Sequence, residues 1–256
     1  MDDETVDGTT PSVARMYDYF LGGKDNYAAD RAAAEKVLEA LPTVEGVARA
    51  NRAFLQRAVR FVAGRGVDQF LDVGTGLPTQ GNVHETARTV RPSARVVYVD
   101  NDPMVIVHAR ALTATDTRTS IVHADVRSPD AILDAARDLL DLSRPVCLLF
   151  VAVLHFLPDA EDPAGNMRRL IDAVPPGSHV IVSHAAAEEQ RNRNVGDTYR
   201  SQSASAPLVA RTRDQVAALL DGLTVLDPGV VPLHEWRPDG GEYVTDAGWT
   251  AVARKD

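Results

Sequence analysis

The segment Phe70-Leu71-Asp72-Val73-Gly74-Thr75-Gly76-Leu77-Pro78 limits the possible folds more than any other part of the chain. A short apolar run ends in an acid and passes at once into a glycine-rich turn, the form of a buried strand that leads to a ligand at its carboxyl end. Glycines there let the backbone come close to a ligand, and a carboxylate just ahead of them attracts an ammonium group and repels a pyrophosphate. Short apolar runs alternate with capped helices from here to the end of the chain. Strands are predicted at 69–73, 95–99, 120–123, 146–153, 179–183, 224–226 and 249–253. Asp102-Pro103 and Ser128-Pro129 each set a capping side chain before a helix-initiating proline, and Thr212 with Gln215 has capping-box spacing. Strands alternating with helices in this way describe an α/β fold, with a largely parallel sheet covered on both faces.

Ahead of the first strand the pattern is helical. Thr10-Pro11 offers a cap followed by a proline, opening a short helix that Gly22-Gly23 stops after Phe20. Ala33, Val37, Leu38 and Leu41 have helical spacing across 30–41. Pro42-Thr43 then restarts a longer helix with Val47, Phe54, Leu55, Ala58 and Val62 on one face, closed by Gly64 and Gly66. Residues 1–66 therefore read as a helical extension and 67–256 as the α/β core, with a polar insertion after the fifth strand near 185–211.

A chain of 256 residues that is 45% hydrophobic can bury one substantial core. Its net charge of −9 argues against sequence-independent nucleic-acid binding, which draws its affinity from cationic side chains on phosphates. A small molecule or a protein is the expected substrate, the small molecule first. Cys147 is the single cysteine, so no internal disulfide can form, and no Cys/His cluster has metal-site spacing. The first ten residues are acidic and polar, unlike a secretory signal, and no run is long enough to span a bilayer. A cytoplasmic location follows by default, and the oligomeric state cannot be read from the sequence.

Two further strand ends carry acids. Asp100, followed by Asn101, closes the second strand, where a carboxylate can accept both hydroxyls of a ribose. Asp125 and Val126 follow the third, where the acid can take an adenine amino group while the valine packs on the ring. Each alone also fits a helix cap or a solvated loop residue; in order, the three describe a nucleoside site. A nicotinamide-dependent oxidoreductase would use the same fold and the same second acid. The third glycine position of that fingerprint is occupied by Thr79, however, and Asp72 disfavours a pyrophosphate.

These residues resemble the class I S-adenosylmethionine-dependent methyltransferases, over Val67 to Arg254. The resemblance implies a Rossmann-like, seven-stranded sheet of order 3-2-1-4-5-7-6 with its last strand antiparallel. It also implies S-adenosylmethionine as cofactor, with Gly74-Thr75-Gly76 around the methionine part and Asp100 on the ribose. Leu148 to Leu157 and Pro175-Pro176-Gly177 look like the same class. The N-terminal run Pro11-Ser12-Val13-Ala14-Arg15-Met16-Tyr17-Asp18-Tyr19-Phe20-Leu21-Gly22-Gly23-Lys24-Asp25-Asn26-Tyr27, with Asn51-Arg52-Ala53-Phe54-Leu55, resembles a mainly actinobacterial family of S-adenosyl methyltransferases of undefined substrate. Arg15, Tyr19, Gly23, Lys24, Asn26 and Tyr27 belong to a crowd of polar and aromatic groups denser than a plain helical spacer needs. This segment is expected to close over the cofactor as a lid, with Asn51 or Arg52 reaching the methionine carboxylate. The alternative is a helix hairpin that these residues cap and solvate.

Methyl transfer from a sulfonium releases a neutral thioether, so neither a metal nor a covalent nucleophile is required, and alignment of donor and acceptor supplies much of the rate. A base is needed only if the acceptor arrives protonated. His155, just past the fourth strand, is the first candidate for positioning the acceptor or for base work, and His184 is the second; packing at a strand end is the alternative for both. Cys147 lies inside an apolar run and reads as an inert thiol. No Asn-Pro-Pro-aromatic tetrad follows the fourth strand. Arg191, Arg193, Arg200, Arg211 and Arg213 cluster about the insertion, consistent with an acidic acceptor or with a solvated surface loop. A non-catalytic regulator that binds S-adenosylmethionine would keep the same cofactor acids.

Overall fold

The computed structural model describes residues 7–78, 81–113, 116–187, 196–199, 201–202, 204–240 and 243–256. Five strands run parallel: β1 (Gln69–Val73), β2 (Arg95–Asp100), β3 (Thr119–His123), β4 (Cys147–Val151) and β5 (His179–Ala185). The two-residue strands β6 (Thr224–Val225) and β7 (Val231–Pro232) both pair with β8 (Gly248–Arg254), which lies antiparallel beside β5. The order β3-β2-β1-β4-β5-β8-β6 is the expected one, the last predicted strand now being β8 because β7, unforeseen, precedes it. β6 and β7 share the outer edge of β8 in two short pieces, and so interrupted an edge gives a second chain little to pair with.

Three helices precede the sheet: α1 (Val13–Phe20), α2 (Ala28–Ala40) and α3 (Val44–Gly64). Within the core follow α4 (Val83–Arg88), α5 (Pro103–Thr113), α6 (Pro129–Ala136), α7 (Pro163–Asp172) and α8 (Arg213–Ala218). The prolines of α5 and α6 and the Thr212/Gln215 box of α8 act as read from the sequence, and Asp102 caps α5 through the Met104 N–H at 2.8 Å, but Ser128 makes no side-chain cap bond; in the box the Gln215 N–H donates to Thr212 Oγ1 at 3.2 Å. α1 starts later than expected, with Ser12 as its cap. The carbonyls of Thr10 and Pro11 turn outward instead, one accepting from Arg15 and the other from the Ser205 N–H. β4 ends at Val151 because Ala152 adopts φ +57° and turns its N–H to Ser183. Within the polar insertion residues 196–199 are helical, while 188–195, 200 and 203 lie outside the described residues.

The period of two along each strand decides what faces what. Leu71, Val97, Leu148 and Val180 point to the side covered by α6, α7 and α8. Phe70, Val96, Cys147 and Ile181 point to the other, under α3 and α4, where Phe54 and Phe61 set their rings edge-on to Trp236 at 5.6 and 5.4 Å. Asp72 and Asp100 share the parity of Phe70 and Val96. Both carboxylates therefore leave the sheet on the α3 side, toward the N-terminal helices.

Candidate active site

A cavity of about 760 Å³ opens where the carboxyl ends of β1 to β5 meet the underside of α1, α2 and α3. Asp72 and Asp100 are buried in its wall. Asp100 accepts the N–H of Gly76 at 2.8 Å and that of Asp102 at 3.0 Å, so the second acid and the glycine turn form one cradle. Gly74 and Gly76 both have positive φ, at +75° and +67°. At Gly74 a Cβ would stand 2.3 Å from Val153 Cγ2, whereas at Gly76 it would meet open space. The first glycine is thus demanded by packing, and the second leaves room for a ligand against the backbone. Burial pushes both carboxyls up to about 6, against the Thr75 hydrogen bond and the Arg52 charge at Asp72 and against the backbone N–H groups at Asp100. A ligand that brings a cation and a diol relieves this desolvation at both acids.

The N-terminal segment closes one side. Ser12 donates its hydroxyl to Asp102, two residues past Asp100, and Val13 N–H donates to Ser205 Oγ at 3.1 Å. Arg15 is buried and ties this segment together: it bonds Asp30 at 2.7 Å and the carbonyl of Thr10 at 2.6 Å, 5.2 Å from the Tyr27 ring.

A family model described as S-adenosyl methyltransferase matches residues 1–256. The chain belongs to this family. Two solved structures agree over nearly its full length. A DUF574 family protein from Streptomyces avermitilis is 40% identical with a TM-score of 0.93, covering 98% of this chain and 100% of its own. A candidate methyltransferase from Thermobifida fusca is 38% identical with a TM-score of 0.92, covering 98% and 97%. Human N-acetylserotonin methyltransferase, solved with S-adenosylmethionine, shares the fold alone at 15% identity and a TM-score of 0.52, over 97% of this chain and 63% of that one. No curated protein matches by sequence. The cofactor of this S-adenosyl methyltransferase is S-adenosylmethionine, and the acids, the glycine turn and the open space at Gly76 fit it.

Of the residues expected at the cofactor, Asp72, Gly74, Thr75, Gly76, Asp100, Asn101, Asp125, Val126, Arg15, Asn51 and Arg52 all line the cavity. Asp125 is already engaged there: Arg127 and Asn101 between them direct four N–H groups at its two oxygens, which brings its carboxyl down to about 2. Asn51 is spent on Tyr17 and Ser183. Tyr19, Gly23, Lys24, Asn26 and Tyr27 lie away from the cavity wall. Asp18 accounts for Gly23 and Asn26, since it bonds the Asp25 N–H and the Asn26 amide and stands where a Cβ on Gly23 would fall, while the Tyr27 N–H donates to Asp30 at 2.7 Å. Gly23, Lys24 and Asn26 lie in the turn between α1 and α2, Tyr19 within α1, and Tyr27 at the cap of α2. Arg211 is not part of a solvated loop either. It is buried, with its guanidinium on the carbonyls of Leu154 and Leu157, on Asp159 and on His184. Arg213 donates to the Val230 carbonyl, while Arg191, Arg193, Arg200 and Thr79 lie outside the described residues. Ser12, Asp102 and Tyr199, also in the cavity wall, were not anticipated as site residues; Asp102 reads from the sequence only as a cap.

The raised acids give the site a pH dependence. Cofactor affinity is expected to be flat above pH 7 and to fall below about 6, by up to tenfold per pH unit for each carboxylate protonated. Stability of the empty protein follows a different course. Asp72 and Asp100 contribute stability that is full below the ordinary carboxyl value of 3.8 and lost as pH rises through 6. His155 and His184 are both lowered, the latter to about 4, and contribute stability that is full above 6.5 and lost as pH falls toward 4. The two pairs oppose each other between 4 and 6.5. Calorimetric titration with the cofactor and thermal melts of the empty chain across this range check both halves; affinity independent of pH would remove the acids from the cofactor site.

Proposed function

We propose that the protein is an enzyme that transfers the S-adenosylmethionine methyl group to a small-molecule acceptor, with residues 7–15 acting as part of a lid over the donor. The observation that carries this is a single cavity holding both the cofactor acids and an apolar extension beneath α1 to α3. When bound, the cofactor supplies an electrophilic methyl on a sulfonium. Asp100 holds the ribose hydroxyls, Asp72 the cationic methionine end, and Val126 packs on the adenine. Asp125 serves by fixing Asn101 and Arg127 at the adenine end. The helices above exclude water, which keeps the acceptor aligned and the electrostatics strong.

The test is calorimetry with S-adenosylmethionine, S-adenosylhomocysteine and NAD, on the full chain and on one lacking residues 1–12. The adenosyl ligands are expected to bind at micromolar Kd, NAD not to bind, and the shortened chain to bind at least tenfold more weakly. Binding of NAD alone would overturn the reading, and unchanged binding by the shortened chain would remove the lid.

A further inference from the structure

Beneath the N-terminal helices the cavity continues as a chamber walled by Phe20, Val37, Leu41, Phe156 and Leu208. The polar groups on its wall are mostly spent on one another. Tyr17 Oη donates to the Ala48 carbonyl and accepts from Asn51, Ser183 donates to Asn51, and His184 sits between the Ala185 carbonyl and Arg211. Two groups differ. His155 accepts the Ala185 N–H at Nδ1, 3.2 Å away, which leaves the ring proton on Nε2, and Nε2 has no partner among the described residues. The Tyr199 hydroxyl has none among them either. The His155 and Tyr199 rings flank Phe156, at 4.4 and 5.9 Å between centroids.

We propose that the acceptor is a weakly acidic aromatic or enolic hydroxyl compound, bound as its oxyanion, with His155 Nε2–H and the Tyr199 hydroxyl donating to the oxygen that becomes methylated. This rests on the methyl-transfer reading above. Both groups hold their protons. Burial, helped by the positive Arg211 nearby, keeps His155 neutral, and burial pushes the Tyr199 phenol up. Among the described residues the free groups of the chamber are thus donors without a competent base, so an ordinary alcohol would arrive protonated and stay so. An acidic hydroxyl loses its proton to water on entry. Its oxygen then forms the bond to the methyl carbon while the carbon–sulfur bond breaks and leaves its electron pair on sulfur, so that the anion and the sulfonium end as a neutral ether and a neutral thioether. The apolar walls suit an aromatic body and disfavour a polyanion.

The test titrates the full chain, saturated with S-adenosylhomocysteine, with 4-nitrophenol, whose visible band reports its ionisation, and with 4-nitroanisole, which lacks the hydroxyl. The phenol is expected to bind saturably with its phenolate band increased at fixed pH, and the anisole more weakly. Tyr199→Phe and His155→Asn, the latter keeping an acceptor for the Ala185 N–H, are each expected to weaken phenol binding about ten- to a hundredfold and to reduce the band increase. A phenolate band that shrinks on binding, equal binding of the anisole, or no effect of either variant would overturn the proposal. S-adenosylhomocysteine binding is measured first in every variant: its failure in the parent chain overturns the methyltransferase reading, whereas its success without phenol binding overturns only this one.

Discussion

Asp100→Ala is expected to leave a folded chain that binds S-adenosylmethionine about a hundred- to ten-thousandfold more weakly. The two hydroxyls of a ribose each give the carboxylate a charge-assisted hydrogen bond of about 1.5–3 kcal/mol, and about 1.4 kcal/mol is tenfold in affinity. The alanine also frees the N–H groups of Gly76 and Asp102, which loosens the cradle and adds to the loss. Folding moves the other way. An ionised carboxylate buried at the end of β2 costs the empty chain free energy, as its upward shift to about 6 records. The empty variant is therefore expected to melt at or above the parent temperature at pH 7.5, while the rise in melting temperature caused by the cofactor disappears. Asp125→Ala makes the contrast. Its oxygens are already occupied by Arg127 and Asn101, so its loss acts through their positions and is expected to weaken binding by less than Asp100→Ala. Binding by Asp100→Ala within threefold of the parent would remove this residue from the ribose.

What could be read from the sequence was what depends on neighbours close in the chain. Asp72 and Asp100 are legible because the end of an apolar run, with a following glycine turn or Asp-Pro cap, places them, and those cues lie within a few residues. The sheet order came with the family resemblance. Asp125 was legible as a residue type at a strand end, but the clamp by Arg127 was not, since nothing in the pattern tells whether an arginine two residues on reaches back or outward. Around Gly22-Gly23 the density of polar and aromatic groups points to a ligand, and the structure gives Asp25 and Asn26 to a turn organised by Asp18. The burial of Arg211 is not legible in the sequence, because it depends on Leu154, Leu157 and Asp159, distant in the chain. Tyr199 stood in a polar stretch with no period to mark it. The acceptor chamber is assembled from such long-range meetings, which is why it was the least legible part.

Gly74→Ala tests the turn at its most constrained point and is expected to cost the most stability of any single methyl added to this site. Gly74 has φ +75°, where an L-residue loses about 1–2 kcal/mol from its Cβ. The new carbon would also stand 2.3 Å from Val153 Cγ2 and 2.7 Å from Val153 Cβ. A β-branched side chain has few rotamers into which to retreat, and forcing an extra methyl into a packed site adds about 1–3 kcal/mol. The sum, about 2–5 kcal/mol, corresponds to a melting temperature lower by roughly 4–20 °C for a chain of this size. Relief by shifting Val153 would not spare function, because Val153 immediately precedes the turn Leu154–Phe156 that carries His155. Relief by shifting the backbone would move the N–H groups of Gly74 and Thr75 off the Val99 carbonyl, at 2.8 and 3.1 Å, and with them the cradle at Asp100. Either way cofactor binding and stability fall together, unlike in Asp100→Ala. Thermal melts with and without S-adenosylhomocysteine distinguish the two cases. A Gly74→Ala chain that melts within 2 °C of the parent and binds the ligand normally would mean that the turn adopts another backbone path in solution.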